Sequence, residues 1–252
     1  MPSPLGVLIL HGFTSCRATV EAVVPQAEAL GLPWRLPQLR GHWTHHRDLH
    51  GVTYHDWLSD ARSALGLLRR EAERVAVVGL SMGGVLTLNL AAEQPHAIDS
   101  VAVLAPALRF VTPLARVSPL LARVLREWQS GGADGFSDKA LAARSTNYRA
   151  FSSAAFVSLY RAGPRVERLL PQIGAPALIL GARNDRVVQP ACAQLVYDRI
   201  GSRQKELVWF ERSGHEMLLD CEAESVAARV GRFLQQRAEA AAGQPSGAGR
   251  SL

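Results

Sequence analysis

The sequence predicts an α/β fold in which a mostly parallel sheet is flanked by helices, and three observations carry that reading. Short apolar, β-rich runs alternate with helical patterns along the chain. One strand-to-helix junction reads Gly79-Leu80-Ser81-Met82-Gly83-Gly84. The alternation is broken once by a long segment with helical faces alone, which reads as an insertion over the sheet.

In chain order, a first buried strand is expected over residues 6–10, followed by a helical pattern over 20–30 that Gly31 ends. A short strand follows near residues 34–36. The Thr53-Tyr54-His55-Asp56 spacing is that of a capping box and opens a helix over 54–73. Residues 74–80 form the next strand and 85–94 the next helix, stopped at Pro95. A strand over 100–105 precedes the insertion, which spans 107–172 with no convincing strand and a polar, glycine-rich interruption at 129–135. Strands over 177–181 and 206–210 bracket a helix over 191–200, and a last helix runs over 222–238. One domain over residues 1–238 is therefore expected, with a helical cap over 107–172. Residues 239–252 are small and polar, hold Gln244-Pro245-Ser246-Gly247, and read as a disordered tail.

Composition narrows the function. The 252 residues are 48% apolar and 20% charged, enough for one large core without disulfides. Cys16, Cys192 and Cys221 make an odd count with no metal spacing, which points to a reducing, cytoplasmic setting. The apolar run at 7–10 is short, follows Pro2 and Pro4 without a lysine or arginine, and fits neither a signal peptide nor a membrane span. The net charge of +6 raises the question of nucleic acid, but 26 of the 28 basic residues are arginines scattered in ones and twos. No basic stretch interleaved with aromatics exists, so no nucleic-acid partner is expected.

The chemistry centres on Ser81. In a G-x-S-x-G turn between strand and helix, the serine stands exposed at the carboxyl end of the sheet beside a helix N-terminus, where developing negative charge is favoured. A serine hydroxyl is a weak nucleophile, so a histidine base and an orienting acid are required. Of the eight histidines only His96 and His215 follow Ser81, and His96 lies at the far end of the next helix. His215, in Ser213-Gly214-His215-Glu216, comes directly after a strand and so at the same sheet edge. Among the intervening aspartates, Asp185 alone leaves the carboxyl end of a strand; Glu211 is the weaker substitute. The oxyanion donors expected are the backbone N–H of Met82, after the nucleophile, and that of Phe13 in the loop His11-Gly12-Phe13-Thr14. Val117 and Leu121, on an apolar face in the insertion that also holds Leu114, Leu120, Val124 and Leu125, are expected to wall the acyl pocket.

A histidine cluster and a lone cysteine also bear on the chemistry. His42, His45, His46, His50 and His55 crowd one segment, yet their spacing matches no zinc signature, so a solvated or substrate-adjacent loop and no metal are expected. Cys16, near Phe13, has no activating neighbour.

The set His11-Gly12-Phe13-Thr14, Gly41-His42, Gly79 to Gly84, Ala182-Arg183-Asn184-Asp185 and Ser213-Gly214-His215 resembles the small bacterial carboxylesterase and monoacylglycerol lipase family of α/β-hydrolases. The resemblance extends from about residue 5 to about residue 236 and is vague over 107–172. It implies an α/β-hydrolase fold, Ser81, Asp185 and His215 as a triad, small carboxylic esters as substrates, and no cofactor. The chain departs from many α/β-hydrolases by starting directly at the strand that leads into His11-Gly12. Thioester or amide hydrolysis, acyl transfer to another acceptor, or a silent binder of apolar ligands on the same scaffold are the alternatives. Dehalogenase and epoxide hydrolase readings are weaker, because in resembling families the nucleophile at this turn is aspartate and here it is Ser81.

Overall fold

The computed structural model describes residues 2–130 and 134–243. Six parallel strands form the central sheet: β1 (Ser3–Leu10), β2 (Trp34–Arg35), β3 (Ala72–Leu80), β4 (Ile98–Leu104), β7 (Ala177–Ala182) and β8 (Lys205–Phe210). Their spatial order is β2-β1-β3-β4-β7-β8. The order reverses at β1 and β3, which places a crevice at the carboxyl ends of the central strands.

Each central strand is apolar on both faces because both faces are covered. Leu8, Leu10, Val75, Val77, Val101 and Val103 point into one core with α2 (Tyr54–Leu68), α3 (Met82–Glu93) and α7 (Ala191–Arg199). The alternate residues Val7, Ile9, Ala76, Val78, Ala102 and Leu104 point into a second core with α1 (Val24–Glu28) and α8 (Ala223–Ala242). This period of two sends alternate residues of each strand to opposite cores, and the one irregularity between these central strands is a register shift between β3 and β4 at Val75 and Ala76.

Several boundaries differ from the sequence reading. The helix from Tyr54 stops at Leu68, and residues 69–71 turn so that Ala72 can pair with Ser3. The segment expected as one helix over 20–30 is a 3-10 turn followed by the short α1, with Pro25 in its first turn. The last helix does not end at residue 238: the alanine-rich 238–242 continue α8, as their helix propensity favours. Of the tail expected to be disordered, residues 244–252 lie outside the described residues.

The insertion is not purely helical. Between α4 (Leu114–Leu121) and α6 (Ser153–Leu169), with the one-turn α5 (Lys139–Ala142) between them, β5 (Glu127–Gln129) and β6 (Ala150–Ser152) form an antiparallel pair. The 107–172 segment covers the carboxyl edge of the sheet, where Tyr148 N–H donates to Thr14 O at 2.9 Å and Thr44 N–H to the Tyr148 hydroxyl at 2.9 Å. On β5, Glu127 accepts from His50 Nε2 at 3.0 Å and lies near His46 and Arg47. Among the described residues no group of three or more metal-ligating side chains converges, and no helix is long and apolar enough to cross a membrane.

Candidate active site

The turn after β3 explains why Ser81 stands out from the sheet. Its backbone has φ 57° and ψ −115°, a strained conformation for a residue with a side chain. The strain is held by hydrogen bonds on both sides of the residue. Ser81 N–H donates to Leu104 O at 2.9 Å, and its carbonyl accepts from Val85 and Ala107 at 3.2 Å each. The flanking glycines are required by space: a Cβ at Gly79 would collide with the backbone of Gly83 and the hydroxyl of Thr87, and one at Gly83 with the backbone carbonyl of Leu10.

The topology brings the other two predicted side chains to the same edge. Asp185 follows β7 and His215 follows β8. Ser81 Oγ–H donates to His215 Nε2 at 2.8 Å, and His215 Nδ1–H donates to Asp185 Oδ2 at 2.8 Å. Asp185 is held in turn, its Oδ1 accepting from Val187 N–H at 2.9 Å and Val188 N–H at 2.8 Å. All three residues are buried. Glu211, the weaker substitute, instead pairs with Arg183 at the surface.

Burial alone depresses the His215 pKa, but the charge of Asp185, its hydrogen bond and the charge of Glu216 outweigh it, so His215 lies above its ordinary value. The His215 loop is pinned by the buried carboxylate of Asp220. That group accepts from Gly214 N–H at 2.6 Å and Ser137 N–H at 2.7 Å, tying the loop to the insertion. Against the cost of its burial, these backbone donors hold Asp220 below the usual carboxylate range.

Phe13 lines the cavity over Ser81, and Met82 is the first residue of α3. Among the described residues neither backbone N–H takes part in a hydrogen bond. The Phe13 loop rests on two histidines. Thr14, at φ 63°, donates its N–H to His42 Nε2 at 3.2 Å, while His42 Nδ1–H donates to Arg40 O at 3.1 Å. His11 donates from Nδ1 to Gly12 O at 2.9 Å and accepts at Nε2 from Leu39 N–H at 3.3 Å. His42 is thus no solvated loop residue, because its ring is buried as an acceptor beneath the loop.

These two rings give the fold a pH dependence with a definite sign. Burial pushes His11 down to about 3, helped by the nearby His42, and pushes His42 down to about 4 against its bonds to Arg40 and Leu39. The unfolded chain, with ordinary values near 6.5, binds more protons between, so their contribution to stability is present above about 6.5 and lost as pH falls toward the folded values. Protonation would also set a ring N–H against the N–H of Thr14 or Leu39. The melting temperature is expected to fall steadily below about pH 6.5, and in His42→Gln, which removes one titrating ring, to fall less steeply; equal slopes would contradict this.

A cavity of about 270 Å³ opens onto Ser81 and His215. Phe13, Phe110, Leu114, Phe151, Phe156 and Leu159 supply apolar lining, and Ser15, Gln129, Asn147 and Glu216 add polar groups. Glu216 is buried beside His215 and accepts from Asn147 Nδ2 at 2.7 Å; burial pushes its carboxyl up. The residues expected to wall the pocket do not: neither Val117 nor Leu121 is among those lining the cavity, and Val117 is 42% exposed. The buried Ala115 and Ser118 point inward on α4, which turns Val117 outward; Thr112, Leu114 and Ala115 line the cavity instead.

Residues 4–222 match the model of the family described as Hydrolase_4, serine aminopeptidase, S33. The chain belongs to this family. Over 238 residues it is 32% identical to a thermostable monoacylglycerol lipase of Bacillus sp. (strain H-257), covering 93% of this chain and 92% of that protein. It is 25% identical to a carboxylesterase of Bacillus subtilis (strain 168) over 91% of this chain and 92% of that one. Among solved structures, one from a study of the metagenome-derived lipolytic enzymes LipS and LipT aligns with a TM-score of 0.87 and 30% identity, covering 94% of this chain and 95% of that chain. The Hydrolase_4 chain is accordingly an α/β-hydrolase, with its insertion between β4 and β7.

Proposed function

We propose that this chain hydrolyses carboxylic esters, short- to medium-chain acyl esters or monoacylglycerols, through an acyl-enzyme on Ser81. The observation that carries the reading is the unbroken relay from Ser81 through His215 to Asp185, at 2.8 Å per step, beneath a cavity lined by both apolar and polar side chains. His215 Nε2 takes the Ser81 proton as Oγ attacks the ester carbonyl, then returns it to the leaving alcohol. Asp185 fixes the tautomer and stabilises the imidazolium. The N–H groups of Phe13 and Met82 receive the oxyanion, and water repeats the cycle on the acyl-enzyme. The relatives named as a lipase and a carboxylesterase support ester over peptide as substrate. Three cysteines without a disulfide fit a reducing, cytoplasmic setting.

Acyl selectivity is expected to lie with the apolar side chains that line the cavity. Leu159→Trp and Leu114→Trp should shorten the preferred chain in a panel of p-nitrophenyl esters, at about 0.8 kcal/mol for each methylene excluded, with the acetyl ester least affected. Val117→Trp and Leu121→Trp, outside the cavity, should leave the ranking as it is. Circular dichroism establishes that the variants are folded; the opposite pattern would place the acyl chain elsewhere.

The protonation of His215 sets the acid limb of kcat/KM. Imidazolium cannot accept the serine proton, so activity falls as pH drops through the His215 pKa, above about 6.5 because Asp185 and Glu216 outweigh burial. Asp185→Asn should move this limb to lower pH as well as reduce the rate. A limb that stays in place would separate Asp185 from the titrating base.

A further inference from the structure

Seven large apolar side chains are exposed among the described residues, and six of them fall within fifteen consecutive positions: Val111, Leu114, Val117, Leu120, Val124 and Leu125. Leu120 is 63% and Val124 78% exposed, far beyond what packing α4 onto the body requires. Isolated exposed leucines need no explanation, but a concentration of this kind marks an interaction surface. Three arginines, Arg116, Arg123 and Arg126, are interspersed with them; all are exposed and make no ion pair among the described residues. No aspartate or glutamate occurs anywhere between residues 107 and 126. The same segment forms part of the wall of the active-site cavity through Thr112, Leu114 and Ala115.

We infer that the 111–126 segment of the insertion is a docking face for a lipid surface carrying anionic headgroups, set beside the opening through which a substrate reaches Ser81. The chemistry of the face selects this occupant. Apolar side chains on a short amphipathic helix enter the headgroup–acyl boundary, and arginines unmatched by any acid meet lipid phosphates there. A neutral apolar partner would leave the three guanidinium groups without counter-charges. Docking at this face would bring the cavity entrance against the layer in which an acyl ester is dissolved, so that the apolar chain need not cross water. No membrane span is involved, since the helix lies in the plane of the surface.

The test uses the full chain and vesicles of phosphatidylcholine, alone or with 30% phosphatidylglycerol as a chosen anionic fraction of about one lipid in three. Co-sedimentation is expected with the anionic vesicles, weaker as salt rises, and not with pure phosphatidylcholine. Arg116→Gln/Arg123→Gln should lower partitioning about thirtyfold, and Leu120→Ser/Val124→Ser at least as much. All four positions are exposed and outside the cavity, so turnover of a dissolved acetyl ester checks that these variants remain folded. Ser81→Ala should bind vesicles as the parent does, which separates docking from the chemistry at Ser81. Failure of the parent to bind anionic vesicles, or binding by both double variants as tight as the parent's, would overturn the inference. So would a dimer in solution that Leu120→Ser/Val124→Ser dissociates while the parent leaves vesicles unbound, because the face would then be covered by a second copy.

Discussion

Alanine at His215 is expected to lower kcat for a dissolved ester by about six orders of magnitude, alanine at Asp185 by about four, and both together by little more than the larger single loss. The non-additivity follows from the geometry. Asp185 reaches Ser81 only through His215, its Oδ2 bonded to Nδ1 while Nε2 faces the serine. Once the imidazole is gone the carboxylate has no ring to orient and no imidazolium to stabilise, so removing it costs little further. Single-turnover kinetics of the two single variants and the double variant measure this coupling directly. Losses that multiply would mean that the two residues act independently.

The second large effect concerns the fold that makes the relay possible. Gly83→Ala is expected to destabilise the chain by at least about 3 kcal/mol, a large part of the 5–15 kcal/mol available to a typical domain. A methyl group there would drive into the carbonyl of Leu10, at the end of β1 and two residues before Gly12. Since backbone rather than a flexible side chain is struck, relief requires α3 to move away from β1, which would displace both Ser81 and the Phe13 loop. Gly66→Ala provides the comparison, because nothing lies within 4 Å of a Cβ there and alanine is the better helix former. Urea unfolding should therefore show opposite signs for the two substitutions, and a Gly83→Ala midpoint equal to the parent's would contradict the packing described.

Why the convergence of Ser81, His215 and Asp185 could be read from the sequence is clear from where they sit. Each follows a strand whose apolar run is visible by itself, and in a parallel sheet the residues just past such runs must share one edge. What lay outside local patterning was not legible. The β5–β6 pair joins two three-residue strands about twenty residues apart, too short to announce themselves. His42 acquires its place beneath the loop from a bond to Thr14, 28 residues away, and reads in isolation as one member of a polar histidine cluster. The apolar stripe that includes Val117 and Leu121 was visible, but periodicity reports that a face is apolar, not whether it meets the body, the cavity or the outside. Glu216 sits within the Ser213-Gly214-His215-Glu216 motif, yet only the fold reveals that its carboxyl is buried against Asn147 at the cavity wall.

The central claim is that Ser81 is the nucleophile, and covalent labelling tests it most directly. A p-nitrophenyl alkylphosphonate, incubated with the parent chain, is expected to phosphonylate Ser81 Oγ with loss of p-nitrophenolate, abolishing ester turnover and adding one phosphonyl adduct mass, which peptide mapping places on Ser81. His215→Ala should be labelled far more slowly, because the base that removes the Oγ proton is missing. Ser81→Ala should take up no label and show no turnover above the residual level. A label on any other residue, or ester turnover by Ser81→Ala at the parent rate, would contradict the account.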